Sequence, residues 1–128
     1  MTSIPIPKKL HLHKKSKLLE EVCYADQIFS LTGEYLRVHS PSAEVRGHGK
    51  PVLQTGKSQV GIKQIEWVGT YAIRIHFDDE HNTGLYTWEY LYHLGKNHTL
   101  LWQTYLDELT AANAFRDAHT QSVKLKNS

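Results

Sequence analysis

Nine histidines are the residues of this chain best suited to chemistry, because imidazole binds metal ions and transfers protons near neutral pH. His11 and His13 share one face of a predicted strand, whereas His39, His48 and His81 lie in or beside predicted loops. Their spacing matches neither a His-Glu-x-x-His helix nor a paired-cysteine zinc motif. A metal site would therefore have to be assembled from histidines that are distant in the sequence.

The chain contains residues that could act as nucleophiles, but the sequence does not show a general base next to any of them. Cys23 lies in a predicted strand, where a cysteine is usually a small buried apolar residue. Ser40 and Ser42 are close to His39 and His48 in sequence, but nothing aligns a base on either hydroxyl. We therefore predict no catalytic residue.

Two further motifs have simple structural explanations. Gly56-Lys57-Ser58 resembles the end of a phosphate-binding loop, but Pro51 occupies the position where that motif needs its first glycine. Asp78–Glu80 is an acidic cluster typical of a solvated turn, and it would raise the pKa of His81 if the groups were in contact. Neither motif predicts an ATPase or a catalytic dyad.

Composition excludes several classes of function. The 128 residues carry a net charge of +2 and show no basic stripe, so we expect no nucleic-acid partner. No apolar run approaches the roughly 20 residues that a membrane helix needs. A single cysteine rules out a disulfide framework within the chain. We expect a cytoplasmic protein with no membrane association.

The elements that must position these residues centre on residues 65–95. Alternation predicts a half-buried strand with four large side chains on its covered face: Tyr71, Ile73, Ile75 and Phe77. Gly69-Thr70 is typical of the turn of a β-hairpin that joins this strand to the preceding one. After a short strand at Leu85-Tyr86, we expect Thr87 to cap a helix that ends at Gly95.

The remaining segments complete a single α+β domain over residues 1–115. Three strands are predicted before the first helix, at Leu10–His13, Leu18–Tyr24 and Ile28–Leu31. A short helix capped at Thr32 precedes a long loop, residues 40–58, that contains one helical turn. We therefore expect a mainly antiparallel sheet of about five or six strands flanked by two or three helices, with helix 98–114 packed on it. Residues 116–128 read as a polar tail.

Three segments in order, Glu34–Val45, Val68–Ile73 and Asp79–Leu91, resemble the small N-terminal domain of gamma-butyrobetaine hydroxylase. The resemblance covers about residues 5–95. Free-standing bacterial copies of this domain form a family of unknown function. The resemblance implies no oxygenase chemistry, since the iron ligands of the hydroxylase belong to a separate, larger domain.

The resemblance also implies a zinc module, in which three cysteines in a C-x-C-x-x-C arrangement join a histidine. The matching positions of this chain hold Ser40, Ser42, Val45 and His81. A hydroxyl or a hydrocarbon side chain does not replace a thiolate ligand of zinc. We therefore expect no cofactor, although the family resemblance would imply zinc or iron.

The same small domain resembles an appendage of Mrp-type ATPases that deliver iron–sulfur clusters. This implies an accessory role in iron–sulfur or metalloprotein assembly. We therefore expect a non-catalytic module that binds an unidentified protein partner. Its predicted binding surface comprises Arg37, His39, Ser40, Ser42, Arg46, His48 and His81. The alternatives are a zinc- or iron-binding domain that combines His81 with other histidines, and a small enzyme of unknown reaction. The oligomeric state stays open.

Overall fold

The protein, seen here as a computed structural model, is described for residues 6–15, 17–23, 27–47 and 51–118. Within these residues the chain forms six strands and four helices, which confirms the predicted α+β class. The strands are divided between two three-stranded antiparallel sheets. No helix in the described part of the chain is long and apolar enough to cross a bilayer.

The first sheet is a meander with the strand order β1-β2-β3. Its strands are β1 (Lys9–His13), β2 (Leu18–Cys23) and β3 (Ile28–Thr32). Leu19 of β2 pairs with both Leu12 and Leu31, so leucines from all three strands lie in one row. Leu19 and Leu31 are buried in the main core. This row fixes the covered face of the sheet, because a shift of one residue would reverse every side chain.

The second sheet has the order β4-β5-β6. Its strands are β4 (Ile62–Val68), β5 (Ala72–Phe77) and β6 (Leu85–Thr87). Gly69 has a φ of 55° in the β4–β5 turn, as the hairpin prediction requires. Ile73, Ile75 and Phe77 are buried as predicted, but Tyr71 is 54% exposed. The prediction for Tyr71 was wrong because β5 begins one residue later and Tyr71 belongs to the turn.

The four helices are α1 (Gly33–Val38), α2 (Ala43–Arg46), α3 (Trp88–Lys96) and α4 (His98–Ala111). Threonine hydroxyls cap α1 and α3 as predicted, because Thr32 accepts from the backbone N–H of Tyr35 and Thr87 accepts from that of Tyr90. Gly95 lies inside α3, which contradicts its predicted role as the helix stop. A Cβ at this position would collide with the ring of Phe29, so the glycine permits close packing.

Buried tyrosines join the helices to the core. The Tyr35 hydroxyl of α1 donates to the carbonyl of Leu94 in α3 over 2.6 Å. The Tyr86 hydroxyl of β6 donates to the carbonyl of Leu36 over the same distance. Both side chains are completely buried, and each phenol satisfies a helical carbonyl. These bonds fix α1 relative to the second sheet, and the loop after α1 carries the site.

The C-terminal end of the described chain also packs on the domain. Arg116 forms two hydrogen bonds to the carboxylate of Glu34, over 2.7 and 2.8 Å. The backbone N–H groups of Gly56 and Ser58 donate to the carbonyls of Phe115 and Arg116. The chain therefore keeps defined contacts beyond residue 115, where the sequence predicted the polar tail to begin.

Candidate functional site

Ser40, Ser42 and His81 form a buried polar cluster between the α1–α2 loop and the β5–β6 turn. The Ser40 hydroxyl lies 2.8 Å from His81 Nε2, and the Ser42 hydroxyl lies 3.4 Å from the same nitrogen. The backbone N–H of Ser42 also donates to Ser40 Oγ over 3.3 Å. The three residues are between 2% and 7% exposed. Buried polar side chains are stabilising only when hydrogen-bonded, and these three satisfy one another.

The β5–β6 turn is shaped to hold His81 in this position. The backbone N–H of Phe77 donates to the carbonyl of His81, and Glu80 adopts a positive φ of 71° to close the turn. Gly84 follows, and a Cβ there would collide with the Ser40 hydroxyl. The missing side chain of Gly84 therefore provides the space that the polar cluster occupies.

Asp79, Arg37 and Lys57 form a second group, the Asp79 network, next to the polar cluster. Arg37 Nε and Lys57 Nζ each donate to Asp79 Oδ2 over 2.9 Å. Asp79 Oδ1 accepts the backbone N–H of His81, and Arg37 Nη1 donates to Gln54 Oε1. The network joins α1, the loop after α2 and the His81 turn. It holds Gln54 and Lys57, which belong to the segment that the sequence predicted as a long surface loop.

Burial and neighbouring charges determine the protonation of the two groups. Burial lowers the pKa of His81, and the nearby positive charge of Arg37 lowers it further. Burial by itself would raise the pKa of Asp79, but Lys57 and Arg37 outweigh it and hold that pKa below its ordinary value. At neutral pH the site therefore holds a neutral imidazole beside an ionised carboxylate.

In space, His81 lies between Ser40 and Glu44, which is the arrangement of a nucleophile, a base and an acid in a catalytic triad. The neutral imidazole can accept the Ser40 proton at Nε2, as in nucleophilic catalysis. Glu44 Oε2 is 3.9 Å from His81 Nδ1, which is too far for a hydrogen bond, and the Glu44 side chain is 65% exposed. Ser40 is only 2% exposed, so a substrate does not reach its hydroxyl in this conformation. The arrangement fits a structural hydrogen bond.

The other residues of the predicted binding surface lie at different depths. Arg37 is buried in the Asp79 network. His39 is half-buried, interacts through Nδ1 with the carbonyl of Tyr35, and has a pKa lowered chiefly by burial. Arg46 is exposed, with its guanidinium 5.9 Å from the Tyr90 ring centre. His48 lies outside the described residues.

A cavity of about 270 Å³, here called the loop cavity, is lined by residues of α1, α2, α4 and the segment 51–54. Its lining includes Val38, His39, Val45, Val52, Leu53 and Tyr105. Tyr105 also donates its hydroxyl to the carbonyl of Gln54, which holds the loop against α4. Sequence reasoning did not single out Val52 or Leu53. The signal for them is the apolar run that follows Pro51 in an otherwise polar loop.

Comparison with known families supports the resemblance seen in the sequence. The family described as gamma-butyrobetaine hydroxylase-like, N-terminal, matches residues 10–92. This chain belongs to that family. No curated protein matches the chain significantly.

Solved structures of similar chains show the same fold of the gamma-butyrobetaine hydroxylase-like N-terminal domain. Two NMR solution structures are each 49% identical to this chain and have TM-scores of 0.80 and 0.76. The alignment with the first covers 90% of this chain and 92% of the NMR chain. The alignment with the second covers 91% of this chain and 90% of the NMR chain. A crystal structure from Acidithiobacillus ferrooxidans is 37% identical with a TM-score of 0.59, and covers 70% of this chain and 92% of its own. It is described as a DUF971 family protein of unknown function.

The donor atoms of the polar cluster decide whether this member of the gamma-butyrobetaine hydroxylase-like N-terminal family could bind a metal ion there. Its donors are two serine hydroxyls and one imidazole, and Val45 offers no donor. Zinc prefers thiolate, imidazole or carboxylate ligands, and neutral hydroxyls are poor substitutes. Among the described residues, no three His, Cys, Asp or Glu side chains are grouped to hold a metal. The donor set does not fit zinc or iron.

Proposed function

We propose that this chain is a non-catalytic binding module, and that its protein partner contacts the loop cavity. One observation carries this proposal. Val52 is 51% exposed and lines the cavity just before Gln54 and Lys57, whose hydrogen bonds attach this segment to the domain. Concave, mostly apolar surfaces that carry a few polar groups are typical of binding sites, and Val52 adds exposed apolar area to this one.

Pre-organisation supports this function. Gln54 follows the apolar run and is held twice, by Arg37 through its side chain and by Tyr105 through its carbonyl. Lys57 is fixed to Asp79 further along the loop. A loop that is already ordered loses little conformational entropy when it binds a partner. Arg37, one of the predicted surface residues, therefore acts behind the interface by holding this segment. Ser40, Ser42 and His81 hold the neighbouring α1–α2 loop to the β5–β6 turn.

The size of the loop cavity indicates the kind of contact. Small-molecule sites usually enclose about 300–1,000 Å³, and the loop cavity lies just below this range. It is large enough to receive a large apolar side chain of a partner. His39 and Glu108 add polar groups at its lining, which suits the mixed character of a protein interface. An accessory role in iron–sulfur or metalloprotein assembly rests on the family resemblance.

Site-specific photo-cross-linking in the native host tests this proposal. A photoreactive residue replaces Val52 in one variant and Leu100 in a control variant, because Leu100 is similarly exposed at 65% on α4. We expect a discrete protein adduct at position 52 that is absent at position 100. The absence of an adduct at position 52, or the same adducts at both positions, would refute the proposed surface.

A second experiment addresses the enzyme alternative. A fluorophosphonate probe labels serines that are activated by a base. We expect Ser40 to stay unlabelled in the folded protein, because its hydroxyl is buried. Stoichiometric labelling that is lost in Ser40→Ala would favour catalysis over binding.

A further inference from the structure

Residues of two edge strands, β1 and β4, line a common groove. Within the described strands, β1 pairs with β2 alone and β4 pairs with β5 alone. A groove of about 340 Å³ lies between their outer edges, and we call it the edge groove. Its lining includes Leu10, Leu12, Lys14, Lys63, Ile65 and Trp67. We propose that the edge groove binds an extended acidic segment of a partner protein, which adds to β4 as a further strand.

The backbone of β4 provides the first argument. The strand is seven residues long, and six of its side chains are at least partly exposed to solvent. An edge strand of this length is a template for main-chain hydrogen bonds with an added strand. Strand addition of this kind is a recurring mode of peptide recognition. Side chains of the added strand would alternate between the groove and solvent.

The apolar surface of the groove provides the second argument. Leu10, Leu12 and Ile65 are half-buried, so they offer hydrophobic area without being sealed in the core. Trp67 is 64% exposed, and its ring packs edge-on against Trp88 with centroids 5.4 Å apart. A large aromatic side chain held in place from one side is a typical binding anchor.

The charges around the edge groove indicate what kind of segment would bind there. Lys14 and Lys63 line the groove, and exposed Lys8 and Lys15 flank β1. The ion pair of Lys63 with Glu80 is 3.5 Å long between exposed side chains, so Lys63 can exchange this partner at little cost. A second copy of this chain would bring its own lysines to the groove. Repulsion between like charges therefore favours an acidic partner over self-association.

Peptide display tests this proposal. A library of random 12-residue linear peptides is selected for binding to the intact, immobilised protein. We expect the enriched peptides to alternate apolar and acidic residues and to shift the backbone amide signals of β4 in NMR spectra. Two variants test the contacts. Trp67→Ser should weaken binding about tenfold or more because it removes the anchor. Lys63→Glu should weaken binding about two- to fivefold because it reverses a rim charge.

Matched controls distinguish the groove from a general effect. Leu100→Ser removes an equally exposed apolar side chain from α4, and Lys96→Glu reverses a charge on α3. Both should leave the affinity unchanged, and urea denaturation verifies that all four variants fold. The proposal is overturned if no peptide is enriched, if the enriched peptides are not acidic, or if binding is insensitive to Trp67→Ser. Concentration-dependent dimerisation that Trp67→Ser abolishes would instead identify a second copy as the occupant. The proposed loop-cavity function is unaffected by any of these results.

Discussion

Asp79 is the residue whose substitution most directly tests the role of the Asp79 network. Asp79→Asn removes the negative charge that balances Arg37, whose side chain is only 8% exposed. Breaking a fully buried ion pair costs about 3–5 kcal/mol. The Asp79 side chain is 21% exposed, and Arg37 keeps its hydrogen bond to Gln54. Solvent and this remaining partner reduce the cost, so we expect the free energy of unfolding to fall by about 2–3 kcal/mol.

Urea denaturation followed by tryptophan fluorescence measures this loss, since Trp88 is buried in the core. With an ordinary dependence on urea, the midpoint should fall by about 1–2 M. Glu80→Gln is the control, because Glu80 is the adjacent acidic residue and its ion pair is exposed. It should change the stability by less than about 0.5 kcal/mol. A double-mutant cycle with Arg37→Met should give a coupling energy of about 1–3 kcal/mol. Equal stabilities of the Asp79 and Glu80 variants would show that the Asp79 network does not stabilise the fold.

Three further predictions concern the same region and the packed C-terminal segment. The pKa of His81 is lowered below its ordinary value of 6.5 in the folded protein, so the unfolded chain binds more protons as the pH falls below that value. Stability measured by urea denaturation should therefore decrease from pH 7 to pH 5, and His81→Gln should remove its part of this decrease. Gly84→Ala should cost about 1–3 kcal/mol because its methyl group meets the Ser40 hydroxyl. Adding Ser40→Ala should recover part of the loss, whereas additive effects would contradict the predicted collision. Arg116→Met leaves the buried Glu34 carboxylate without its bidentate partner, and should lower the melting temperature by several degrees. An unchanged melting temperature would show that this ion pair is dispensable.

Local sequence signals predicted the elements well, because their causes are local. The alternation at Ile73, Ile75 and Phe77 follows from the geometry of a single strand. Thr32 and Thr87 cap helices through hydrogen bonds that span only three residues. The division into two sheets was not predictable in this way, since strand pairing depends on contacts between distant segments. Gly95 was interpreted wrongly for the same reason, because its tight neighbour Phe29 is 66 positions earlier in the chain.

The site was predictable only in part. The resemblance matched Ser40, Ser42 and His81 to one set of ligands, and the structure brings these three residues together. Asp79 was missed because an Asp-Asp-Glu turn is usually solvated, and no sequence pattern shows that Arg37 and Lys57 converge on it. Arg37 and Asp79 are 42 positions apart in the sequence, and only the fold brings their charges together.

We expect hydrogen bonds, and no metal ion, to hold the polar cluster together. Elemental analysis of protein purified without an affinity tag, combined with urea denaturation with and without a chelator, shows whether a metal ion is bound and whether it adds stability. We expect no stoichiometric zinc or iron, and the same free energy of unfolding in both conditions. One equivalent of metal that is lost in His81→Ala, together with destabilisation by the chelator, would contradict the claim.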